Sequence, residues 1–289
     1  RFVLDYLLEE VLEQQPQNLQ TFLLRTSILH RMCGPLCDAV VGSPASGQEL
    51  AGQKTLEHLE RANLFTVSLD NERRWHRYHH LFGSLLRQRL GQSLSPEEIA
   101  ALHIRASEWY EDNGLMLEAF RHAAAANDLV RVERLIESKG MGLHYYGVAT
   151  AILDWLDTVP QPALDTRPVL RVRSATLALM AGRTTGVEEN LLAAERCLPA
   201  AGPDSITRTL TGQIACARAT LALMRYDPQT MRTQARRALE YLPADNWTYL
   251  FTANWALASA CSLQGDRAGA MEACQKALAI SQKGESVFS

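Results

Sequence analysis

The sequence predicts a mainly α-helical protein: a winged-helix domain with a small β-hairpin, then a helical connector, then a solenoid of tetratricopeptide-like repeats. Three observations support this. Strand-like runs follow three short helical patterns, the pattern is purely helical from residue 95, and turns recur about every 40 residues beyond residue 168. The predicted segments are a linker helix over 1–15, the winged-helix domain over 16–92, the connector over 93–165 and the repeats over 166–289.

Composition limits the classes of function. The chain has 289 residues, 47% of them hydrophobic, which is enough for several packed modules. A net charge of -3 argues against a protein that coats nucleic acid. No apolar run approaches the roughly 20 residues of a membrane helix, and the first residues lack a signal-peptide pattern. We therefore expect a cytoplasmic protein with no membrane partner. The start at Arg1 suggests a piece of a longer protein, with repeats that continue past Ser289.

The first half alternates between short helices and one hairpin. Apolar residues at helical spacing predict the linker helix, which ends before Pro16. An alternating run over 64–69, a polar turn over 70–72 and a return strand over 73–78 then predict a hairpin. Three helices precede it, at Leu19–His30, Leu36–Val41 and Leu50–Ala62. Three helices followed by a hairpin are the order of a winged helix.

The connector and the repeats have clear helix boundaries. Ser95, followed by Pro96 and Glu98, predicts a capping box, and the helix ends at Asn113-Gly114. Further helices are predicted at Met116–Ala126, Asp128–Ser138 and about Ala149–Val159. Beyond Pro168, turns between helices are predicted at Ala181–Arg183, Arg225–Asp227 and Gln264–Arg267. The stretch 265–278 is similar to the second helix of a tetratricopeptide repeat.

The six cysteines are interpreted as reduced thiols packed in the core, because they are scattered and their spacing does not fit a zinc site. They are Cys33, Cys37, Cys197, Cys216, Cys261 and Cys274.

Three histidines lie where the hairpin meets the next helix. His76 is expected on the return strand and His79 at the helix start, next to His80. A metal site is not favoured, because the pattern supplies no His-Glu-x-x-His motif. The alternative is that these histidines cap the helix or face solvent. We expect no metal and no other cofactor in this segment.

Arginines flank the histidines and allow two interpretations. Arg73, Arg74 and Arg77 could lie against DNA phosphates, as a basic wing does, or against another domain. The predicted recognition helix argues against DNA, because it carries or adjoins three carboxylates, at Glu49, Glu57 and Glu60. We therefore predict an interdomain surface and no direct DNA binding by this segment.

No arrangement of a nucleophile with a base is found, and no glycine-rich loop ends in Lys-Ser or Lys-Thr, so no enzymatic activity is expected. Four aromatic residues cluster near one repeat helix: Trp247, Tyr249, Phe251 and Trp255. They either fill the groove between helix hairpins or bind an effector, with Trp247, Tyr249 and Trp255 as the candidate contacts.

The stretches 22–29, 33–40 and 73–90 resemble MalT-like regulators of the LuxR type, which are signal-transducing ATPases. The resemblance implies an ATP- or ADP-binding domain and a C-terminal helix-turn-helix, both outside this sequence. It also implies that a histidine at the junction of the hairpin and the helix contacts the β-phosphate of ADP. The family motif of an apolar residue, His, any residue and two apolar residues aligns with 78–82, so this role falls on His79. Many relatives have an acidic residue where this chain has His80.

Two hypotheses for the function follow. In the first, the chain is the non-catalytic sensor segment of an ATP-dependent transcriptional activator, whose repeats bind an inducer or a partner protein and relay this to the nucleotide-binding domain. In the second, it is a protein-interaction scaffold of tetratricopeptide type with no nucleotide switch.

Overall fold

A computed structural model describes residues 12–42, 52–62, 65–137, 146–199 and 204–288. The predicted fold class is confirmed, since these ranges contain fifteen helices and one two-stranded antiparallel hairpin. The chain divides into two compact units, residues 1–142 and 143–289. Within the ranges searched, no helix is long and apolar enough to cross a membrane.

The first unit contains seven helices and the hairpin among its described residues. Their bounds are α1 Gln17–Thr26, α2 Gly34–Val41, α3 Gly52–Arg61, β1 Thr66–Ser68, β2 His76–Tyr78, α4 His80–Ser93, α5 Pro96–Asp112, α6 Met116–Ala125 and α7 Leu129–Glu137.

The second unit is helical throughout its described residues. Its elements are α8 Tyr146–Leu156, α9 Gln161–Asp165, α10 Pro168–Met180, α11 Val187–Arg196, α12 Ser205–Met224, α13 Pro228–Tyr241, α14 Trp247–Leu263 and α15 Arg267–Phe288.

The hairpin closes the winged-helix core. β1 and β2 pair with Thr66 opposite Tyr78 and Val67 opposite Arg77. Met32 adds a one-residue antiparallel bridge to β2, because its N–H donates to the His76 carbonyl at 2.7 Å and its carbonyl accepts from the His76 N–H at 2.8 Å. The sheet packs on fully buried side chains of α1 to α4: Leu23, Leu36, Leu56, Leu59, Phe82 and Leu86.

One buried polar contact joins β2 to α1. The Thr26 hydroxyl donates to the Phe22 carbonyl at 2.7 Å, so its oxygen accepts the hydroxyl of Tyr78, also at 2.7 Å. Burial raises the pKa of Tyr78, because a phenolate has no water to solvate it there. The two hydroxyls thereby satisfy each other inside the core.

The capping box at the start of α5 is confirmed. The Ser95 hydroxyl accepts from the Glu98 N–H at 3.2 Å, and the Glu98 carboxylate accepts from the Ser95 N–H at 2.8 Å. At the helix end Gly114 has a φ of 73°, which glycine adopts without strain. The predicted boundary is confirmed at both ends.

Helices α5 and α6 face each other through two histidines. The Nδ1 atoms of His103 and His122 lie 2.9 Å apart, and the His122 ring stacks on Tyr110 with centroids separated by 5.4 Å. Because one hydrogen bond joins two nitrogens, one imidazole donates while the other must stay deprotonated at that atom. The contact therefore requires at least one neutral ring.

The second unit is built from repeated helix pairs, and its predicted turns are confirmed at the ends of α10, α12 and α14. Small residues let the pairs approach closely, as in the cluster of Ala219, Ala222, Met231, Ala235, Ala256 and Ala260. Partly buried ion pairs link neighbours as well. Arg218 of α12 contacts Glu188 at 2.7 Å and Glu195 at 2.6 Å, both on α11.

Some expectations differ from the structure or fall outside it. The four predicted segments stay a prediction; in the two-way division, helices α5 to α7 belong to the first unit and α8 and α9 to the second. Most of the predicted linker helix over 1–15 lies outside the described residues. The prediction of six packed thiols is wrong for Cys197 and Cys274, which are exposed, whereas the other four are buried.

Helices α2 and α3 meet at a glycine, which gives a first prediction. A Cβ on Gly34 would lie 2.7 Å from both the Cβ and the backbone nitrogen of Gln53. Gly34→Ala should therefore lower the free energy of unfolding by about 1–3 kcal/mol, measured by urea denaturation. Gly91→Ala is the control: nothing lies within 4 Å of its Cβ position on α4, and it should stabilise by up to about 1 kcal/mol. Equal losses for both variants would contradict this packing.

The histidine pair predicts a pH dependence of stability. Burial, and secondarily the nearby His103, lowers the pKa of His122 to about 3. The unfolded imidazole titrates near pH 6.5, so the unfolded chain binds a proton that the folded chain excludes between about pH 6.5 and 3. Stability should fall as the pH falls through this window, by about 1.4 kcal/mol per pH unit for one histidine. Urea denaturation at several pH values measures this slope.

A matched pair of variants isolates this contribution from carboxylate titration. His122→Phe keeps an aromatic ring beside Tyr110 and should flatten the slope, while His80→Gln, at an exposed position, should retain it. A slope unchanged in His122→Phe would show that His122 does not carry the effect.

Candidate functional site

The candidate site is the outward side of the hairpin and the start of α4. The geometry of a β-strand produces this outward side, because successive side chains point to opposite faces of the sheet. Thr66, His76 and Tyr78 point inward and are buried, while Val67 and Arg77 point outward and lie opposite each other.

The outward side is unusually apolar for an exposed hairpin. Phe65, Val67 and Leu69 are 37%, 43% and 45% exposed, and Leu81 in the first turn of α4 is 44% exposed. An alternating strand normally turns its apolar residues to the core, yet here the polar Thr66 is buried and the apolar Val67 is not. We call the set of Phe65, Val67, Leu69, Arg77, His79 and Leu81 the junction surface. Exposed apolar side chains on one short element favour an interaction site there, although the Phe65 ring also packs against the buried Phe82 ring, with centroids 5.4 Å apart.

His79 is held at the edge of this surface by the backbone. Its N–H donates to the carbonyl of Phe65 at 2.7 Å, and it occupies the N-cap position of α4. Phe65 itself has a φ of 52°, a conformation rare for a bulky residue that is typical of functional sites. The His79 imidazole is exposed and makes no capping hydrogen bond, although its ring lies 4.8 Å from the ring of His80. A free imidazole beside uncapped helix N–H groups suits an anion.

The three clustered histidines do not converge. His76 lies on β2 as predicted and is fully buried, with its Nε2 3.5 Å from a carboxylate oxygen of Glu60. His79 and His80 both face solvent. Across the part of the chain that was searched, no group of three or more His, Cys, Asp or Glu residues is placed to hold a metal ion.

The structure separates the three candidate arginines. Arg77 lies on the junction surface beside Val67. Arg73 turns toward α3, with its Nε 3.9 Å from a Glu60 carboxylate oxygen, and Arg74 contacts Glu72 at 3.4 Å. Only Arg77 of the three is therefore part of the junction surface, and its interdomain role stays a prediction.

The predicted recognition helix, α3, carries carboxylates among its described residues. Glu57 contacts Arg61 one turn away at 3.8 Å, and Glu60 lies near Arg73 and His76. Glu49 lies outside the described residues. Lys54 and Arg61 balance these two charges on the described helix, so the absence of direct DNA contact stays a prediction.

The aromatic residues of α14 divide between the core and the surface. Tyr249 is buried, and its hydroxyl accepts from Arg173 at 3.2 Å. Trp247 is half-buried, whereas Trp255 is 52% exposed and stacks on Phe251 with centroids 6.5 Å apart. The interpretation of groove-filling aromatics therefore fits Tyr249, and effector binding by the set stays a prediction.

Phe251 and Trp255 can be compared with the equivalent positions of the preceding repeat. Counting back from the two corresponding turns, Gly212 and Cys216 of α12 occupy the positions that Phe251 and Trp255 occupy on α14. A Cβ on Gly212 would meet Leu242 at 2.8 Å, and the Cys216 thiol donates to the carbonyl of Tyr249 at 3.6 Å. In α12 this face is covered by the next helix pair. In α14 the same face bears a large exposed aromatic pair.

Sequence reasoning placed His79 and Arg77 but did not anticipate the outward apolar face. The signal was present in the run 64–69, where Phe65, Val67 and Leu69 alternate with polar residues. The side that faces the core depends on the pairing with Met32 and β2, which local spacing does not encode.

The fold and the site together define a winged-helix protein extended by helical repeats, of the class found in transcriptional regulators. Residues 8–98 match the family model described as the MalT winged helix domain. The chain is 33% identical over 243 residues to the HTH-type transcriptional regulator MalT of Cronobacter sakazakii, covering 84% of this chain and 26% of that protein. The corresponding MalT of Serratia proteamaculans is 29% identical over 272 residues, with 94% and 29% covered.

MalT of Yersinia pestis is 30% identical over 286 residues, covering 97% of this chain and 30% of that protein. The chain is thus related to the MalT transcriptional regulators along most of its length and carries a MalT-type winged-helix domain. It spans less than a third of the length of each of these three relatives.

The division of the α14 aromatics gives a prediction. Tyr249→Ala removes a buried ring and should destabilise the second unit by about 3–5 kcal/mol. Trp255→Ala removes an exposed ring and should change stability by less than about 1 kcal/mol. Urea denaturation measures both, and a large loss for Trp255→Ala would show that this ring is covered in solution.

Proposed function

We propose that this chain is the non-catalytic regulatory segment of an ATP-dependent LuxR-type transcriptional regulator. The junction surface docks on a nucleotide-binding domain, and His79 contacts the β-phosphate of ADP and stabilises the resting state. The repeats bind a small-molecule or protein effector, and a separate C-terminal helix-turn-helix binds DNA. The setting is the cytoplasm.

The observation that carries this proposal is the inverted alternation of β1. Leaving an apolar face exposed to water costs roughly 25 cal/mol for each Å². This free energy is recovered when a partner covers the face. Arg77 beside Val67 adds a positive charge to this face. A domain that binds ADP carries anionic phosphates, so the charge of Arg77 favours such a partner.

His79 is suited to the phosphate role by its position. The first N–H groups of α4 have no intrahelical acceptor and His79 gives them no side-chain cap. A phosphate oxygen placed there would accept from those N–H groups and from the imidazole together. His80 lies next to it but is already the first residue of the helix.

An effector on the repeats fits the exposed pair of Phe251 and Trp255, because stacked aromatic faces bind sugars, planar rings or apolar side chains. Effector binding would reach the nucleotide-binding domain by favouring one set of interdomain contacts over another. The same aromatic pair also favours the alternative, a protein-interaction scaffold of tetratricopeptide type with no nucleotide switch.

A binding experiment separates the two. The 289-residue chain is titrated with the separately expressed nucleotide-binding domain of a MalT relative, loaded with ADP or with ATP, and the affinity is measured by calorimetry. His79→Ala should weaken the ADP complex about tenfold or more, as expected for loss of a charged hydrogen bond, and should change the ATP complex much less. Arg77→Glu should weaken both.

His80→Ala is the matched control, since it removes the neighbouring exposed ring and should bind like the unaltered chain. The scaffold alternative predicts no binding to either loaded form and no effect of His79→Ala. Binding that is insensitive to Arg77→Glu would reject the junction surface as the docking site.

A further inference from the structure

A cleft of about 410 Å³ lies between the turn end of the hairpin and the end of α5, within the first unit. Its size is within the range of small-molecule sites, roughly 300–1,000 Å³. Two tryptophans line it, Trp75 from the residue before β2 and Trp109 from α5. Their centroids are 6.4 Å apart and the rings are nearly perpendicular, at 78°.

The hairpin side of the cleft is held in place before any ligand arrives. The Asp70 carboxylate accepts from the backbone N–H of Arg74 at 2.8 Å and of Trp75 at 3.1 Å. The guanidinium carbon of Arg31 lies 4.6 Å from the centroid of the Trp75 ring, and Arg31 is itself paired with Glu118 at 3.0 Å. Trp75 is thus fixed through its backbone and one ring face, which reduces the entropy lost on binding.

The polar groups of the cleft favour an acidic ligand. Among the described lining residues Arg74 is the cation, the amides of Gln53 and Asn113 add donors and acceptors, and none is a carboxylate. The contact of Arg74 with Glu72 is 3.4 Å long, and both side chains are more than 70% exposed, so it competes weakly with a ligand. Cys33, Pro35 and Leu115 supply apolar wall.

We propose that this cleft is a binding site for a small planar aromatic acid, whose ring packs against Trp75 and Trp109 and whose carboxylate pairs with Arg74. The proposal does not depend on the nucleotide switch, since His79 and Arg77 take no part in it. A bound ligand would link the turn end of the hairpin to α5, two elements that are far apart in the sequence.

The test uses indole-3-acetate as the probe and the indole N–H resonances of the whole 289-residue chain as the readout. The chain has five tryptophans, of which two report on the cleft. Trp155 serves as the internal control, because Trp247 and Trp255 belong to the proposed effector contacts. Trp75→Phe and Trp109→Phe assign the two cleft resonances. We expect saturable shifts at Trp75 and Trp109 and none at Trp155, with a Kd on the order of 1 mM for so small a ligand.

Charge recognition is tested separately. 3-Methylindole has the same ring without the acid and should bind about tenfold more weakly than indole-3-acetate. Arg74→Gln should remove that difference, whereas Arg73→Gln, a neighbouring arginine that does not line the cleft, should preserve it. Shifts at Trp75 and Trp109 that never saturate, or that extend equally to Trp155, would overturn the site. Equal binding of the two probes would overturn the acidic ligand class.

Discussion

The structure of the candidate site depends on β2 having one face in the core. His76 and Tyr78 are both buried, so Arg77 between them has to point outward and His79 has to emerge at the start of α4. This register is also fixed by two backbone hydrogen bonds between Met32 and His76. The hydrogen bond between the hydroxyls of Thr26 and Tyr78 fixes it as well. A shift by one residue would bury Arg77 and expose Tyr78, which the core does not permit.

This arrangement keeps polar groups inside the domain. Tyr78 has a hydroxyl partner, but His76 is fully buried with Glu60 at 3.5 Å as its charged neighbour. A core built for stability alone would place apolar residues at both positions. The hydroxyl pair of Tyr78 and Thr26 requires this register, where apolar residues would tolerate several. The same register accounts for the exposed apolar side of β1, because it buries the polar Thr66 and leaves the apolar Val67 exposed.

Local features of the sequence predicted the fold well. The capping box at Ser95, the turn at Gly114 and the turns between the repeat helices each depend on a few neighbouring residues, and all were placed correctly. The contacts that bring distant segments together were not predictable in this way. Met32 with His76, His103 with His122, and Trp75 with Trp109 each join residues from separate elements, and no periodicity links the members of a pair.

In the candidate site, too, local positions were predictable from the sequence and long-range contacts were not. Spacing put His79 at a helix start and Arg77 on a strand, but the separation of Arg77 from Arg73 and Arg74 follows from the turn, where Arg73 has a φ of 54°. Whether each aromatic residue of α14 is buried likewise depends on the neighbouring helix pair. Tyr249 is buried because a preceding pair offers Cys216, Ala238 and Leu242 to pack on, whereas Trp255 has no such neighbour among the described residues.

The hairpin has two ends with different chemistry, and its short ladder connects them. At the turn end, Asp70 binds the backbone of Arg74 and Trp75 beside the aromatic cleft. At the other end, the Phe65 carbonyl binds the N–H of His79. Three paired positions separate these contacts, and strand pairing resists a change at one end alone. A ligand in the cleft and a partner on the junction surface would therefore act on the same rigid element. Their binding free energies would be coupled only to the extent that the two favour different positions of that element.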